Sequence, residues 1–421
     1  MSNEGVHDVS RAALELREQL ASDKRRLAFF MGAGTSMAVG MPGIVELTTK
    51  VGDALPEHNK AKYGSVRSEM PEDSHIEQIL DRVRLLRELL KEDEEWKRTG
   101  ITGGVLRQLD LAICEAIQDA VCQSEVQELL PHRILAQWLF ASHATRSWPI
   151  EIFTTNYDLL LEKAMEEVEV PFFDGFIGSV NPFFTPEAVD TTSRTPESIY
   201  PPRTWTRLWK LHGSVNWYLL KTDGDDRERV SRNSGIVHTK GSQLMIFPSR
   251  EKYSDSRRLP FLTYQDRLRR FLSSGESVLF ILGYSFSDEH LNEIIFQGLR
   301  SNNRLAVNAI VYGESVEDCG NKELRLPEGI AKYARAHRNL SVYGPDRAVI
   351  GGVEGKWIPP KTDKNRENQP YWSFKTGSFV LGDFCKFASY LERFIEFGRN
   401  KRGVLEEPLV ASEAMEVSRE G

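Results

Sequence analysis

Residues 27–36 read Leu27-Ala28-Phe29-Phe30-Met31-Gly32-Ala33-Gly34-Thr35-Ser36, and this stretch is the most informative part of the chain. Its first half is a continuous apolar run, which is typical of a strand buried on both faces of a parallel sheet. Glycines follow the run at once, and we expect a helix to begin near Gly43. A strand, a glycine turn and a helix in this order form the phosphate-binding unit of doubly wound folds. The stretch therefore predicts an α/β protein with a phosphate-binding turn after its first core strand.

Further apolar runs alternate with segments of helical periodicity along the chain. They predict strands at residues 149–154, 208–212, 244–248, 277–283 and 305–312. Strands that alternate with helices are the pattern of a parallel sheet with helices on both faces. Residues 75–143 show helical periodicity without a strand pattern. We therefore predict a Rossmann-like, doubly wound parallel sheet with a helical insertion and a small C-terminal extension.

The same patterns predict how the chain divides into domains. We expect residues 1–312 to form one nucleotide-binding domain, which includes the insertion at about 75–143. Residues 313–405 are predicted to be an extension that packs on the core or mediates assembly. The acidic residues 406–421 are predicted to be a disordered tail.

Composition limits the classes of function. The chain has 421 residues and a formal net charge of -7, which argues against a basic nucleic-acid binder, although a local basic patch leaves direct nucleic-acid binding open. No apolar run reaches the ~18 residues of a membrane span, and no signal-peptide core is visible, so we expect a cytoplasmic location and no membrane partner. The four cysteines form no Cys-x-x-Cys pair, so we expect no zinc ribbon and no metal.

The glycine turn is the first candidate binding segment. Gly32 and Gly34, with Ala33 between them, permit close approach of the backbone to a phosphate, and the amides of the following helix can stabilise the anion. Thr35 and Ser36 add hydroxyl groups for a phosphate or a ribose. A third glycine at the usual spacing of the dinucleotide fingerprint is missing, because Met37 stands there. By itself, the turn is equally consistent with a purely structural role.

The second candidate segment follows the strand at 149–154. Thr155, Asn156 and Asp158 would stand at the carboxyl end of that strand, where doubly wound folds bind ligands. Asn156 is suited to hold a water molecule or a ribose hydroxyl, and Asp158 to orient the loop or the ribose environment. The alternative is that these residues only cap the next helix.

Two later segments complete the set. His212 ends a strand and precedes Gly213, so it is a candidate general base, because imidazole titrates near neutral pH; a structural histidine is the alternative. Gly283 and Ser285 follow the most apolar strand and are predicted to contact a nucleotide. Ser287 is predicted to cap the helix after them.

These four segments, in this order, resemble the sirtuin (Sir2) superfamily. Residues 32–36, with Gly40-Met41-Pro42 after them, resemble the sirtuin Gly-Ala-Gly-x-Ser…Gly-Ile-Pro stretch. Residues 155–158 resemble Gln-Asn-Ile-Asp, residues 212–213 the catalytic His-Gly, and residues 283–285 a later Gly-x-Ser. The resemblance implies that NAD is the substrate and that Asn156 and His212 are catalytic. It implies NAD contacts by Gly32, Ala33, Gly34, Thr35, Ser36, Pro42, Thr155, Asp158, Gly283 and Ser285.

Departures from the sirtuin pattern narrow the implied activity. Residues 43–45 read Gly-Ile-Val where deacylases carry Asp-Phe-Arg, and the two zinc-binding cysteine pairs are missing. The variant motifs resemble bacterial Sir2-like NADases of antiphage defence, and the compact length resembles the Sir2 subunit of Sir2–HerA systems. The resemblance implies hydrolysis of NAD to ADP-ribose and nicotinamide, a homo-oligomer and a HerA-type hexameric ATPase as partner. An NAD-dependent protein deacylase and a non-catalytic NAD or ADP-ribose sensor remain the alternatives.

Overall fold

The structure is a computed structural model of the chain. It describes residues 5–96, 98, 100–122, 129–143, 145–189, 201–202, 204–222, 225–233, 243–246, 260–313, 326–361 and 369–401. The predicted acidic tail at 406–421 lies outside these residues.

The described residues form helices and strands with the following bounds. The helices are α1 (Val9–Ala21), α2 (Ala33–Met37), α3 (Ile44–Ala54), α4 (Glu57–Arg67), α5 (Ile76–Leu89), α6 (Gly103–Cys122), α7 (Leu130–His143), α8 (Leu160–Glu167), α9 (Pro186–Val189), α10 (Phe261–Ser273), α11 (Glu289–Ser301), α12 (Glu328–Ala336) and α13 (Phe384–Lys401). The strands are β1 (Gly5–Asp8), β2 (Arg26–Met31), β3 (Glu95–Trp96), β4 (Ile101–Thr102), β5 (Glu151–Thr154), β6 (Phe172–Phe173), β7 (Phe176–Ile177), β8 (Phe183–Phe184), β9 (Thr206–Lys210), β10 (Gly213–Thr222), β11 (Asp225–Arg232), β12 (Gln243–Ile246), β13 (Ser277–Leu282), β14 (Leu305–Ile310), β15 (Leu340–Tyr343), β16 (Arg347–Ile350), β17 (Val353–Ile358), β18 (Trp372–Ser373) and β19 (Ser378–Phe379).

The main sheet is mostly parallel. Within the described residues it has ten strands in the order β1-β17-β16-β15-β14-β13-β2-β5-β9-β6. Every neighbouring pair from β15 to β6 runs parallel, whereas β16 runs antiparallel to both of its neighbours. The predicted α/β class with a parallel sheet is confirmed. The predicted C-terminal extension contributes β15, β16 and β17 to this sheet.

Alternating side chains of β2 hold helices on both faces of the sheet. Phe30 packs in a cluster with residues of α10, α11 and α12. Phe29 and Met31 pack in a second cluster with residues of α1, α7, α8 and α13. Successive strand residues point to opposite faces, so a strand between two helical layers must be apolar at every position. Burial of each such large side chain stabilises the fold by roughly 1.5–3 kcal/mol.

Helices α3 to α6 form a separate bundle beside the sheet. Their apolar faces share a third cluster, which also takes in Leu160 of α8 and Val215 of β10. Helix α7 instead belongs to the cluster on the sheet face. The insertion predicted at 75–143 thus contains helices of two packing groups, and the antiparallel pair of β3 and β4 interrupts it. The division into domains stays a prediction.

The helix predicted to begin near Gly43 is confirmed, because α3 starts at Ile44 with Gly43 as its N-cap. A short helix that was not predicted, α2, precedes it and begins at Ala33, with Gly32 as its N-cap. The glycine motif is therefore itself the first turn of a short helix. The strand predicted at 208–212 ends at Lys210, which leaves His212 in the turn that leads to β10.

A search for membrane-spanning helices among the described residues finds none that is long and apolar enough.

Candidate functional site

Four loops leave the main sheet at one edge. They follow β13, β2, β5 and β9, which are consecutive parallel strands in that order. The carboxyl ends of parallel strands lie at the same edge, so the four predicted segments meet there. This proximity follows from strand order, which sequence spacing alone does not give.

A cavity of about 950 Å³ opens between these loops. Most of the predicted site residues line it, namely Ala33, Gly34, Ser36, Pro42, Thr155, Asn156, Asp158, His212, Gly283 and Ser285. The remaining two predicted residues, Gly32 and Thr35, are not part of its wall. The cavity is large enough for a cofactor-sized ligand.

The glycines of the turn are required by backbone packing against the loop after β13. A Cβ atom on Gly32 would lie 2.6 Å from the Gly283 carbonyl oxygen, and one on Gly34 would lie 2.7 Å from the Gly283 Cα atom. Gly283 has a φ of +60°, and a Cβ there would lie 2.5 Å from the amide nitrogen of Thr35. The Gly34 amide donates to the Gly283 carbonyl over 2.9 Å. This amide is therefore used within the fold, and the predicted ligand contact by Gly34, which lines the cavity, stays a prediction.

Thr35 is also used inside the protein. Its side chain is fully buried, and its hydroxyl donates to the Gly32 carbonyl over 2.8 Å. The hydroxyl accepts a hydrogen bond from Asn156 as well. In this geometry Thr35 stabilises the glycine turn from behind and does not face the cavity.

Asn156 ties the loop after β5 to the glycine turn. Its Nδ2 atom lies 3.1 Å from the Gly32 carbonyl oxygen, 3.1 Å from Thr35 Oγ1 and 2.8 Å from Ser36 Oγ. Among the described residues, no hydrogen bond reaches its Oδ1 atom. The amide group therefore holds the turn with its nitrogen and leaves its oxygen as an acceptor for a ligand or water.

Asp158 is anchored on the same side of the cavity. Its Oδ2 atom accepts from Ser36 Oγ over 2.6 Å, and its Oδ1 atom accepts from the Leu160 amide over 3.0 Å. Beneath it, the buried Lys210 ammonium donates to the Asp158 carbonyl and, over 2.8 Å, to Glu162 Oε1. Burial raises the pKa of Glu162, and the Lys210 charge opposes this rise. Each carboxylate oxygen of Asp158 thus accepts a hydrogen bond, one from the Ser36 hydroxyl and one from the Leu160 amide at the start of α8.

Burial also shifts the pKa values of two side chains near this loop, Tyr157 and His132. Burial raises the pKa of the Tyr157 hydroxyl, and the carboxylates of Glu77 and Asp158 add to the rise. Burial lowers the pKa of His132 on α7 to about 4, although Asp158 opposes this. Both groups are therefore neutral near pH 7, so the charge on this side comes from carboxylates and the buried lysine.

His212 also lines the cavity, in the loop after the neighbouring strand β9, and has an acidic partner. Gly213 after it has a φ of +86°, which lets the chain turn sharply from the end of β9 into β10. The His212 Nε2 atom lies 3.1 Å from Asp288 Oδ2, and the imidazole side chain is 23% exposed. His212 therefore faces the cavity beside a carboxylate.

Asp288 was not among the predicted site residues. We expected Ser287 to cap the helix after β13, but Asp288 is the N-cap of α11, and its carboxylate accepts from the amides of His290 and Leu291. Ser287 instead shares a 2.9 Å hydroxyl contact with Ser285. The signal for Asp288 was present in the sequence, because aspartate is as good an N-cap as serine.

Two distant parts of the chain also line the cavity, and neither was predicted to do so from the sequence. Glu77, Gln78 and Asp81 come from α5, and Asp383 and Cys385 come from the start of α13. With Asp158 and Asp288, the cavity wall includes five carboxylates, and within the described residues it includes no lysine or arginine. The wall therefore favours a ligand that carries positive charge next to it.

Among the described residues, no group of three or more histidine, cysteine, aspartate or glutamate side chains is arranged to hold a metal ion.

Comparison with protein families finds a match to part of the chain. A family model described as the SIR2-like domain matches residues 150–329, which is less than half of the chain. The matched segment contains Asn156, His212, Gly283 and Asp288, but not the glycine turn. The chain is thus similar to SIR2-like domains over this segment.

Comparison with solved structures finds chains with low sequence identity. One, described as "Structural Basis for the Mechanism and Regulation of Sir2 Enzymes", is 12% identical, with 94% of this chain and 100% of that chain covered and a TM-score of 0.37. A second, described as a mutant of a Sir2 homologue in complex with ADP ribose, is 13% identical, with 75% and 91% covered and a TM-score of 0.32. A search of curated proteins finds no match.

Proposed function

We propose that the chain is an NAD+ hydrolase that cleaves NAD to ADP-ribose and nicotinamide. The observation that carries the proposal is that Asn156 and His212 line one cavity at the carboxyl ends of adjacent parallel strands. An acceptor amide and a candidate base are thus presented to one ligand, and a site that only binds needs no base. The match of residues 150–329 to the SIR2-like domain supports NAD as the substrate.

The proposed reaction breaks the bond between the nicotinamide nitrogen and the ribose C1′ atom. Nicotinamide leaves with the electron pair, and positive charge develops on the ribose. Water then attacks C1′, and His212 accepts the proton that the water loses, so the products are nicotinamide, ADP-ribose and a proton. Asn156 Oδ1 would accept a hydrogen bond from this water or from a ribose hydroxyl.

The charge of the cavity wall fits this reaction. The nicotinamide ring of NAD is cationic, and the transition state moves that charge to the ribose. Carboxylates such as Asp158 and Glu77 line the cavity. Fixed negative charge near developing positive charge lowers the barrier when water is excluded. The diphosphate would have to be held by backbone amides or hydroxyl groups. Thr35 and Ser36 are the predicted hydroxyl residues of the turn; of these Ser36 lines the cavity, and its hydroxyl would have to turn away from Asp158 to donate to the ligand.

The test is an assay of the purified protein with NAD, with and without an acyl-lysine peptide. Release of nicotinamide and ADP-ribose without peptide supports the hydrolase. Peptide-dependent O-acetyl-ADP-ribose would indicate the deacylase, and tight NAD binding without nicotinamide release would indicate the sensor. We expect His212→Ala to lower turnover by about 10²–10⁴-fold, the usual contribution of a general base. Unchanged NAD consumption in both His212→Ala and Asn156→Ala would contradict the assignment.

We propose further that this activity depletes NAD in antiphage defence, within a homo-oligomer that assembles with a HerA-type hexameric ATPase. The resemblance of the motifs to the defence NADases is the support for this role. Light scattering of the protein alone and after addition of such an ATPase tests the assembly. A protein that stays monomeric and does not bind the ATPase would contradict the proposed assembly without affecting the hydrolase assignment.

A further inference from the structure

Asp288 holds two structural elements together with one carboxylate. Its Oδ1 atom accepts from the amide of His290 over 3.0 Å and from the amide of Leu291 over 3.2 Å. Its Oδ2 atom lies 3.1 Å from His212 Nε2. The first contact caps α11, and the second joins the start of that helix to the imidazole that follows β9. Asp288 is 10% exposed at its side chain, so the contact is shielded from bulk water.

The end of a helix favours the ionised form of this carboxylate. Amides at a helix N-terminus point outward and carry partial positive charge, which stabilises an anion there. An ionised carboxylate only accepts hydrogen bonds. A neutral His212 can therefore bond to it only when the hydrogen is on Nε2.

We propose that Asp288 is a positioning residue that keeps neutral His212 protonated on Nε2, so that Nδ1 carries the lone pair that accepts the proton. Among the described residues no hydrogen bond reaches His212 Nδ1, and His212 lines the cavity. The hydrogen bond made by one ring nitrogen fixes the state of the other. The catalytic consequence rests on the proposed hydrolase function, whereas the tautomer itself does not.

Two substitutions of Asp288 separate positioning from helix capping. Asp288→Ser retains a good N-cap residue but is too short to reach the imidazole as well. Asp288→Asn also caps, but if its oxygen accepts from the helix amides, its NH2 group faces His212 and favours the hydrogen on Nδ1. We therefore expect kcat to fall about tenfold or more in the serine variant and by about 10²–10⁴-fold in the asparagine variant, with little change in KM.

A matched control exists at Asp8, the last residue of the edge strand β1. Asp8 caps α1 with the same geometry, since its Oδ1 atom accepts from the amides of Ser10 over 2.8 Å and Arg11 over 3.2 Å. Asp8→Ser and Asp8→Asn therefore change the same cap contacts without touching His212. We expect both control variants to keep the wild-type kcat. If the Asp288 variants also keep it while His212→Ala loses activity, Asp288 has no positioning role.

The tautomer is measured directly by long-range ¹H–¹⁵N correlation NMR of protein labelled at histidine, with the signals of His212 identified by their loss in His212→Gln. We expect Nε2–H in the wild type and Nδ1–H in Asp288→Asn. Nδ1–H in the wild type would overturn the proposal. The NMR readout separates the tautomer proposal from the proposed hydrolase function. A wild-type protein that binds NAD without releasing nicotinamide would refute the hydrolase function, but the NMR spectrum would still decide the tautomer of His212.

Discussion

The surroundings of Asn156 and those of His212 in the cavity wall are built in different ways. On the side of Asn156, nearly every polar group bonds to another part of the protein, and Gly283 packs against the turn with no space for a Cβ atom. On the side of His212, a partly exposed imidazole has one carboxylate partner. We call these the frame side and the imidazole side. The difference teaches that a substitution on the frame side should change both the stability of the fold and the geometry of the site. A substitution on the imidazole side should change mainly the catalytic activity.

The largest expected effect is at Lys210, beneath the frame side. Lys210→Met leaves the buried Glu162 carboxylate without its partner, and loss of one member of a buried pair costs about 3–5 kcal/mol of unfolding free energy. Lys50→Met, in an exposed pair with Glu46, is the control and should cost less than about 1 kcal/mol. Denaturant unfolding measures both. Equal losses in the two variants would show that the frame side does not depend on its buried ion pair.

Gly283 tests whether close packing joins the two loops. Gly283→Ala places a Cβ atom against the Thr35 amide and strains a positive φ, so we expect a loss of about 2–4 kcal/mol. Gly275 has the same φ of +60° with open space around a Cβ atom. Gly275→Ala should therefore show only the backbone strain, about 1 kcal/mol. The difference between the two unfolding free energies isolates the packing term, and a difference near zero would contradict the tight contact.

His132 makes the frame side sensitive to acid. Its pKa is about 4 in the folded protein, because of burial, against about 6.5 in an unfolded chain. Between these values the unfolded state binds more protons, so stability falls as pH falls, by about 2 kcal/mol between about pH 7.5 and about pH 5. His132→Leu should remove this part of the loss, whereas His58→Leu at an exposed site should not. Parallel pH dependence in the wild type and His132→Leu would contradict the assignment.

Removal of the side chain should have different effects at Asn156 and at His212. Asn156→Ala removes the amide nitrogen that lies within hydrogen-bond distance of Gly32 O, Thr35 Oγ1 and Ser36 Oγ, so we expect a loss of about 1–3 kcal/mol of unfolding free energy together with loss of activity. His212→Ala should lose activity with a stability change below about 1 kcal/mol. Thermal melts and nicotinamide release on the same preparations measure the pair. Equal melting temperatures in the two variants would remove the distinction between the sides.

The sequence predicted the elements that depend on local pattern. The apolar runs at 27–31 and 277–282 became central strands, because burial on both faces requires apolar residues at every position. Parallel order then brought Gly34, Asn156 and His212 to one edge, as the motifs implied.

Features that depend on distant packing could not be predicted. The contact between His212 and Asp288 spans 76 residues, and the cavity lining by α5 and α13 depends on how these helices dock on the sheet. The close packing that requires glycine at positions 32 and 34 could not be predicted either, because it depends on the loop after β13, which lies against the glycine turn. The start of α2 was missed because the glycine turn and the first helical turn use the same residues.

The smallest expected effect is at Gln118, which links α6 to both sides. Its Nε2 atom donates to the Val215 carbonyl over 2.9 Å, and the Val215 amide donates to the Tyr157 carbonyl over 2.9 Å. Gln118→Ala removes one buried hydrogen bond, so we expect a loss of about 1 kcal/mol and a fall in nicotinamide release of less than about tenfold. Gln297→Ala, at an exposed contact with Glu293, is the matched control. If the two variants are equally stable and equally active, the helical bundle is not coupled to the loops through this bond; if Gln118→Ala alone loses both properties, the bundle supports the frame side and the imidazole side together.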